Sequence, residues 1–541
     1  MDLTIYYLKM QNNSSSSEAS TEQEARPLRG MKIVVTAIDL EQTEHRGIAV
    51  YSKAVLRALK KSGAEVWLLT EYEPKLTEPK LKILPFNTQH LIYVSRVFES
   101  LVSGQRKLNS PSIKRQILQQ IPLGEWCLGL LDQASKYFNK LKPRKYYGKS
   151  DYSEIDLNKL VDNPYLQHER LGYLKWVDGL LCANKIYLNS MLLAEKIDSK
   201  PLELDLIGYD GMISTCPLYI KALNTKFNVQ TIHDLIPLEY FPTADRQSIF
   251  AQRLQRCSDS ARIFVSTATK NKFTQYIKKG ECDAETVIIQ PPSLNLKPEF
   301  TAQSHDLISL FPSSGENRLN SKIIPFRYIL FNSAVESRKN LIFAIKAYRE
   351  SRLGQEGIKL CITGSLKDDD YSRRIESRVS NDKDIILTNY IDEATKRDLF
   401  LNAMLLISPS LVEGFGIPVL DAACLGLVAL TSPSLTHQEI RNQYDFKNYV
   451  CICDNHNSSE LAKAMKLFAR KEAGPKLDTL RSTKTNTKII RLLNLNKNQI
   501  RRNARAERYA YYQELITQNF QDKIIELIAN EKDRAVKQEL D

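Results

Sequence analysis

The chain is predicted to be an α/β protein built from two doubly wound, Rossmann-like domains. A β-α-β pattern opens the ordered part, from Met31 to Thr70. A second alternation of short apolar runs with helical stretches fills residues 328–453. Between them, Pro291-Pro292 to about Ser321 has the Pro, Ser and Asn content of a linker. Strands alternating with helices imply parallel sheets, because a parallel pair needs a crossover helix.

Each element follows from its own pattern. Residues 1–30 are rich in Asn, Ser, Glu and Thr over 11–25, and are expected to be a disordered tail. Met31–Ile38 is an apolar run of strand length, Val50–Lys61 has apolar residues at helical spacing, and Glu65–Thr70 is a second strand. Residues 85–170 break the alternation with amphipathic, Lys/Arg-rich stretches and read as a helical insertion. Strands resume at 210–214, 229–233 and 261–266, completing an N-terminal domain over 31–300. A linker at 301–325 leads to a C-terminal domain over 326–500, with strands near 328–333, 359–363, 385–388, 404–408, 427–431 and 449–453. Arg501–Ile528 reads as a C-terminal helix within a final segment, 501–541.

Composition narrows the function classes. The chain has 541 residues and a formal charge of +13, which favours anionic partners without naming one. No zinc-finger, RRM or KH pattern accompanies the charge, so nucleic acid is not an expected partner. Nine cysteines without CxxC spacing suit reduced thiols in a cytoplasmic protein. No apolar run reaches the ~18 residues of a membrane span.

The most informative stretch is 408–426. A buried strand ends at Ser408-Pro409; Gly414 and Gly416 follow, and Pro418 is set for the first turn of a helix. Such a junction points backbone amides and a positive helix end at one spot, where a phosphate can sit. Glu413 and Asp421 flank that spot. A diphosphate repels carboxylates, so both are assigned to hydroxyls, and an anion beside a polyol describes a nucleotide-sugar. The whole string, Pro-Ser-x-x-Glu-Gly-Phe-Gly-Ile-Pro, resembles the acidic signature of group 1 retaining glycosyltransferases with the GT-B architecture. Asp421 stands where that family has a second Glu.

Three further stretches resemble the same family. Glu336-Ser-Arg-Lys-Asn-Leu341 is similar to its Arg-Lys-Asn-Leu loop, with Ser333 where glycine is usual; the resemblance assigns Arg338 and Lys339 to the donor diphosphate. Thr231–Leu238 resembles its His-Asp loop and makes His233 a contact of the transferred sugar. Gly47-Ile-Ala-Val-Tyr51 resembles its N-domain glycine loop, departing at Ala49 and Val50. Gly364 and Tyr390 fall where relatives frame the base.

The resemblance therefore implies two facing GT-B domains and transfer of a hexose, with retention, from a nucleoside diphosphate sugar to a glycan or lipid-linked acceptor. Glu413, His233, Arg338 and Lys339 would be catalytic; Gly414, Phe415, Gly416, Asp421, Gly47, Gly364 and Tyr390 would bind the donor. It implies no cofactor and no metal, the nucleotide-sugar being a co-substrate; Asp368-Asp369-Asp370 is assigned to a solvent-facing loop. The departures leave open a non-catalytic sugar-nucleotide-binding or assembly subunit of the same descent. Residues 85–150 carry eleven Lys/Arg against three Asp/Glu, interleaved with aromatics. That segment reads in two ways: its faces pack on the N-terminal domain with the lysines in solvent, or it touches an anionic membrane surface at the inner face of the membrane.

Overall fold

The computed structural model describes residues 26–42, 45, 47–74, 81, 83–104, 143–160, 168–196, 198–240, 247–257, 259–277, 285–294, 296, 308–310, 321–473 and 484–540. Its first sheet contains β1 (Lys32–Thr36), β2 (Glu65–Thr70), β3 (Ser153–Asp156), β4 (Gly179–Cys182), β5 (Gly211–Ser214), β6 (Phe227–Ile232), β7 (Ala261–Phe264) and β8 (Glu285–Val287). They lie in the order β8-β7-β6-β5-β1-β2-β4-β3. Every pairing is parallel except β3 with β4. Ile33, Val34 and Val35 of β1 have no exposure, as expected of a central strand covered on both faces.

The second sheet holds β9 (Tyr328–Asn332), β10 (Lys359–Thr363), β11 (Ile385–Leu387), β12 (Leu405–Ser408), β13 (Ala429–Thr431) and β14 (Val450–Ile452). All its pairings are parallel, in the order β11-β10-β9-β12-β13-β14. That is the doubly wound dinucleotide-fold order, whose crevice opens beyond β9 and β12, where the winding reverses. In the first sheet the reversal lies between β1 and β5. The carboxyl ends of the two sheets face each other, as expected of GT-B.

Seven helices matter for the site: α1 (Gly47–Lys61), α2 (Thr267–Tyr276), α3 (Leu341–Ser351), α4 (Glu393–Asn402), α5 (Ile417–Leu425), α6 (Leu435–Arg441) and α7 (Lys484–Leu540). Helix α7 joins the domains. Tyr509, Tyr512, Ile516, Phe520, Ile524, Leu527 and Ile528 form one buried stripe at helical spacing. Burying each such side chain is worth roughly 1.5–3 kcal/mol before the ordering entropy is counted. Arg505 donates to the carbonyls of Leu401 and Ala403 in the C-terminal domain, while Gln521 donates to Ser62 in the N-terminal one.

The structure departs from the sequence reading in four places. The tail was expected to run to residue 30, yet Leu28 is buried and its amide donates to the Ser62 carbonyl. Part of the expected insertion belongs to the sheet, since β3 adds antiparallel to its edge; helix Phe86–Ser103 is present, and residues 105–142 lie outside the described residues. The linker contains an antiparallel ribbon, Ile308–Leu310 with Ser321–Ile323. Helix α7 starts 17 residues earlier than expected and runs past Ile528. Among the described residues no helix is long and apolar enough to cross a membrane.

Candidate active site

The loop after β12 and the loop after β9 meet at Glu413. Its Oε1 accepts from Lys339 Nζ at 2.5 Å and from Ser410 Oγ at 2.7 Å, while Arg338 Nη1 lies 3.6 Å from Oε2. Burial would raise this carboxyl, but Lys339, Arg338 and His437 overcome it and hold it at about 2, so it is ionised. Burial in turn lowers the Lys339 ammonium, against the pull of Glu413. Arg338 is steadied by Glu336 at 2.8 Å, which also takes Lys367 at 2.7 Å. Leu411 N donates to the Arg338 carbonyl at 2.7 Å, locking the two loops together.

Gly416 caps α5 with φ +100, a left-handed conformation that favours glycine. A Cβ there would lie 3.1 Å from the His437 ring. His437 is fully buried; its Nδ1 lies 3.3 Å from the Ser432 carbonyl, and its Nε2 has no partner among the described residues. Phe415 is buried between the two glycines, holding the loop to the core.

The N-terminal domain closes onto this loop. A Cβ on Gly414 would lie 2.9 Å from the His233 carbonyl and 2.8 Å from Asp234 Cβ. Ser266 Oγ donates to the Gly414 carbonyl at 3.3 Å, and Tyr240 OH to Ser337 Oγ at 2.9 Å. Gly47, at the start of α1, faces Ile417, which a Cβ would meet at 3.0 Å. Glu439 of α6 receives Thr267 N at 2.9 Å and Thr267 Oγ1 at 2.9 Å, capping α2 from across the cleft.

His233 sits at the end of β6 with its ring edge-on to Tyr51, centroids 4.8 Å apart. Its Nε2 is 2.7 Å from the Thr215 carbonyl, which can only accept, so Nε2 carries the proton. Burial lowers its pKa to about 4, so the ring is neutral near pH 7. Glu413, Lys339 and Arg338 thus converge in one domain, and His233 with Asp234 packs against Gly414 from the other.

The remaining expected residues are placed as follows. Gly364 ends β10, where a Cβ would fall 1.8 Å from the Ser333 carbonyl, so only glycine fits. Its amide donates to Asn389 O at 2.9 Å, which brings the neighbouring Tyr390, 42 % exposed, to the same sheet edge. Asp421, expected to bind a donor hydroxyl, has both carboxylate oxygens taken by the protein itself. It is fully buried, Oδ1 taking Ser293 N at 2.6 Å and Tyr509 OH at 2.8 Å, and Oδ2 taking Ser293 Oγ at 2.5 Å. One methylene shorter than the family's Glu, it is held by the linker and α7. In the acidic triplet Asp369 caps a helix, while Asp368 and Asp370 pair with Arg373 in solvent. Among the described residues no group of acidic, His or Cys side chains is arranged to hold a metal ion.

Sequence reasoning missed His437 and Glu439. Neither lies in a recognisable motif; the available cue was polar residues following β13 at the same carboxyl edge as the other loops.

Residues 320–488 match the family model for glycosyl transferases group 1. No curated protein matches the chain. Solved structures with a similar arrangement include sucrose-phosphate synthase from Thermosynechococcus elongatus, 12% identical over 92% of this chain and 100% of that one, with a TM-score of 0.47. A glycosyltransferase from Rickettsia africae is 12% identical over 92% and 99%, with a TM-score of 0.42. Anabaena HepE in complex with UDP-glucose is 12% identical over 91% and 99%, also with a TM-score of 0.42. The segment that matches the group 1 glycosyl transferase model, 320–488, is the one that carries Arg338, Lys339 and Glu413.

Proposed function

We propose that this protein is a retaining glycosyltransferase that moves a hexose from a nucleoside diphosphate sugar to a hydroxyl of a glycan or lipid-linked acceptor, with no metal ion or cofactor. The observation that carries the reading is the meeting of an ionised Glu413 with Lys339 and Arg338 beside the start of α5. A carboxylate suits sugar hydroxyls, while two cations and a helix N-terminus suit a diphosphate.

In this reading the bond between the sugar's anomeric carbon and the diphosphate oxygen breaks, and its electron pair leaves with the phosphate. Lys339, Arg338 and the α5 amides stabilise that developing charge. The acceptor oxygen bonds the anomeric carbon on the vacated face, and its proton passes to the departing phosphate oxygen. A neutral His233 is consistent with a sugar contact and leaves general-base duty unassigned to it.

Thermal denaturation with UDP-glucose, ADP-glucose and GDP-mannose, each in the presence of EDTA, tests the reading. A true donor at 100 times its Kd adds about 2.7 kcal/mol and raises Tm. No shift with any of the three would contradict it.

A further inference from the structure

The N-terminal wall of the cleft contains polar groups that the donor chemistry does not use. Asp39 lies in the turn Ile38–Glu41 just after β1, at the winding reversal of the first sheet. Its Oδ1 accepts from Thr215 Oγ1 at 3.2 Å, and the Thr215 carbonyl is the partner of His233 Nε2. Asp39 Oδ2 has no hydrogen-bond partner among the described residues. Neither do the hydroxyls of Thr36 and Ser214, which are register partners on β1 and β5; the Ser52 hydroxyl lies beside the Asp39 carboxylate and lowers its pKa against the effect of burial. Folded proteins leave few buried polar atoms unpaired, so three around one turn call for an explanation.

Lys53 is one turn further along α1 than Ala49, on the side that faces the other domain. It makes no hydrogen bond or ion pair among the described residues. Its surroundings are Asp39 and Arg170 from its own domain and Glu393 and Lys396 of α4 from the other, so the ammonium lies in the interdomain cleft. Burial lowers its pKa, the mark of an ammonium that has lost water without gaining a full partner.

We propose that Asp39 and Lys53 form a hydroxyl-binding subsite for the acceptor sugar, on the opposite wall of the cleft from Glu413. This rests on the transferase reading. A sugar hydroxyl donates one hydrogen bond and accepts others, so a single hydroxyl can give its proton to Asp39 Oδ2 and receive one from Lys53. A neutral polyol satisfies both groups at once, whereas an anion satisfies Lys53 only and is repelled by Asp39. The path Asp39–Thr215–His233 fixes this subsite relative to the ring expected to face the transferred sugar.

Two measurements on the full-length protein separate the subsite from the donor site. Thermal shift with UDP, ADP and GDP reads the donor side. Saturation-transfer NMR with free D-glucose, D-mannose and D-galactose, with and without the nucleotide, reads the acceptor side. At least one hexose is expected to bind the wild type, and Asp39→Asn and Lys53→Met should each weaken that binding about tenfold. The nucleotide shift should stay within error of wild type. Lys53→Met alone decides the matter if Asp39→Asn does not melt cooperatively. Absence of hexose binding to the wild type, or equal binding by the variants, overturns the subsite. A wild type that binds hexose but none of the nucleotides contradicts the transferase reading and leaves the hydroxyl subsite standing.

Discussion

Lys339 Nζ lies 2.5 Å from Glu413 Oε1, so the cation assigned to the diphosphate is already spent on the carboxylate assigned to the sugar. Both side chains are largely buried, 11% and 7% exposed. A donor arriving here does not meet a bare cation. Under the proposed function a donor would share Lys339 with Glu413, which would couple the diphosphate and sugar sites.

Lys339→Met should consequently harm both stability and catalysis. Removing one partner of a buried ion pair leaves the other charge uncompensated, at a cost of about 3–5 kcal/mol. Ser410 and Arg338 remain near Glu413, which should keep the loss at the lower end. Urea denaturation should show the reduced midpoint, and donor turnover should fall at least tenfold.

Asp421→Glu should destabilise the protein. The carboxylate is fully buried and bonded by Ser293 and Tyr509, so an added methylene overpacks the site at about 1–3 kcal/mol. A lower Tm with a normal nucleotide shift is expected. An unchanged or higher Tm would return Asp421 to the donor.

Glu439→Gln should loosen the closed arrangement. The carboxylate receives two donors of Thr267 across the cleft, and hydrogen bonds to a charged group are worth about 1.5–3 kcal/mol. Small-angle scattering of the ligand-free variant should give a larger radius of gyration than wild type, with secondary structure unchanged.

Stability should fall on mild acidification. Burial holds His233 and His45 at about 4 in the folded state, against 6.5 ordinarily. Both therefore stabilise the fold above pH 6.5, and that contribution is lost as pH falls toward 4. Glu413, at about 2 against 4.5, adds a further loss below pH 4.5. Asp39 works in the opposite sense between 3.8 and about 6, because burial raises it. Melting curves between pH 7 and 4.5 should show a falling Tm, and His45→Gln should flatten the slope.

Much of this was legible in the sequence because it is local. The apolar runs of β1, β2, β9, β10 and β12 announce themselves, and the glycine junction at 414–418 fixes where α5 begins. What was hidden depends on residues far apart in the chain. Asp421 is claimed by Ser293, 128 positions away, and by Tyr509, 88 positions away. The Lys339–Glu413 pair spans 74 positions. Strand β3 is four residues long and lies antiparallel at a sheet edge, so neither length nor alternation distinguishes Ser-Glu-Ile-Asp from a loop. The early part of α7 carries five asparagines between Asn486 and Asn503, a residue that favours caps and turns over helix interiors, and the buried stripe begins only at Tyr509.

The central claim is that Glu413 serves sugar transfer from an activated donor. The most direct measurement is release of nucleoside diphosphate from the donor selected by thermal shift, by wild type and by Glu413→Gln at matched folded concentration. Losing an electrostatic contact made to the reacting centre costs about 10²–10³-fold in rate. We therefore expect turnover in Glu413→Gln to fall by about that factor while the variant still melts cooperatively. Wild-type turnover in a folded Glu413→Gln protein would contradict the account.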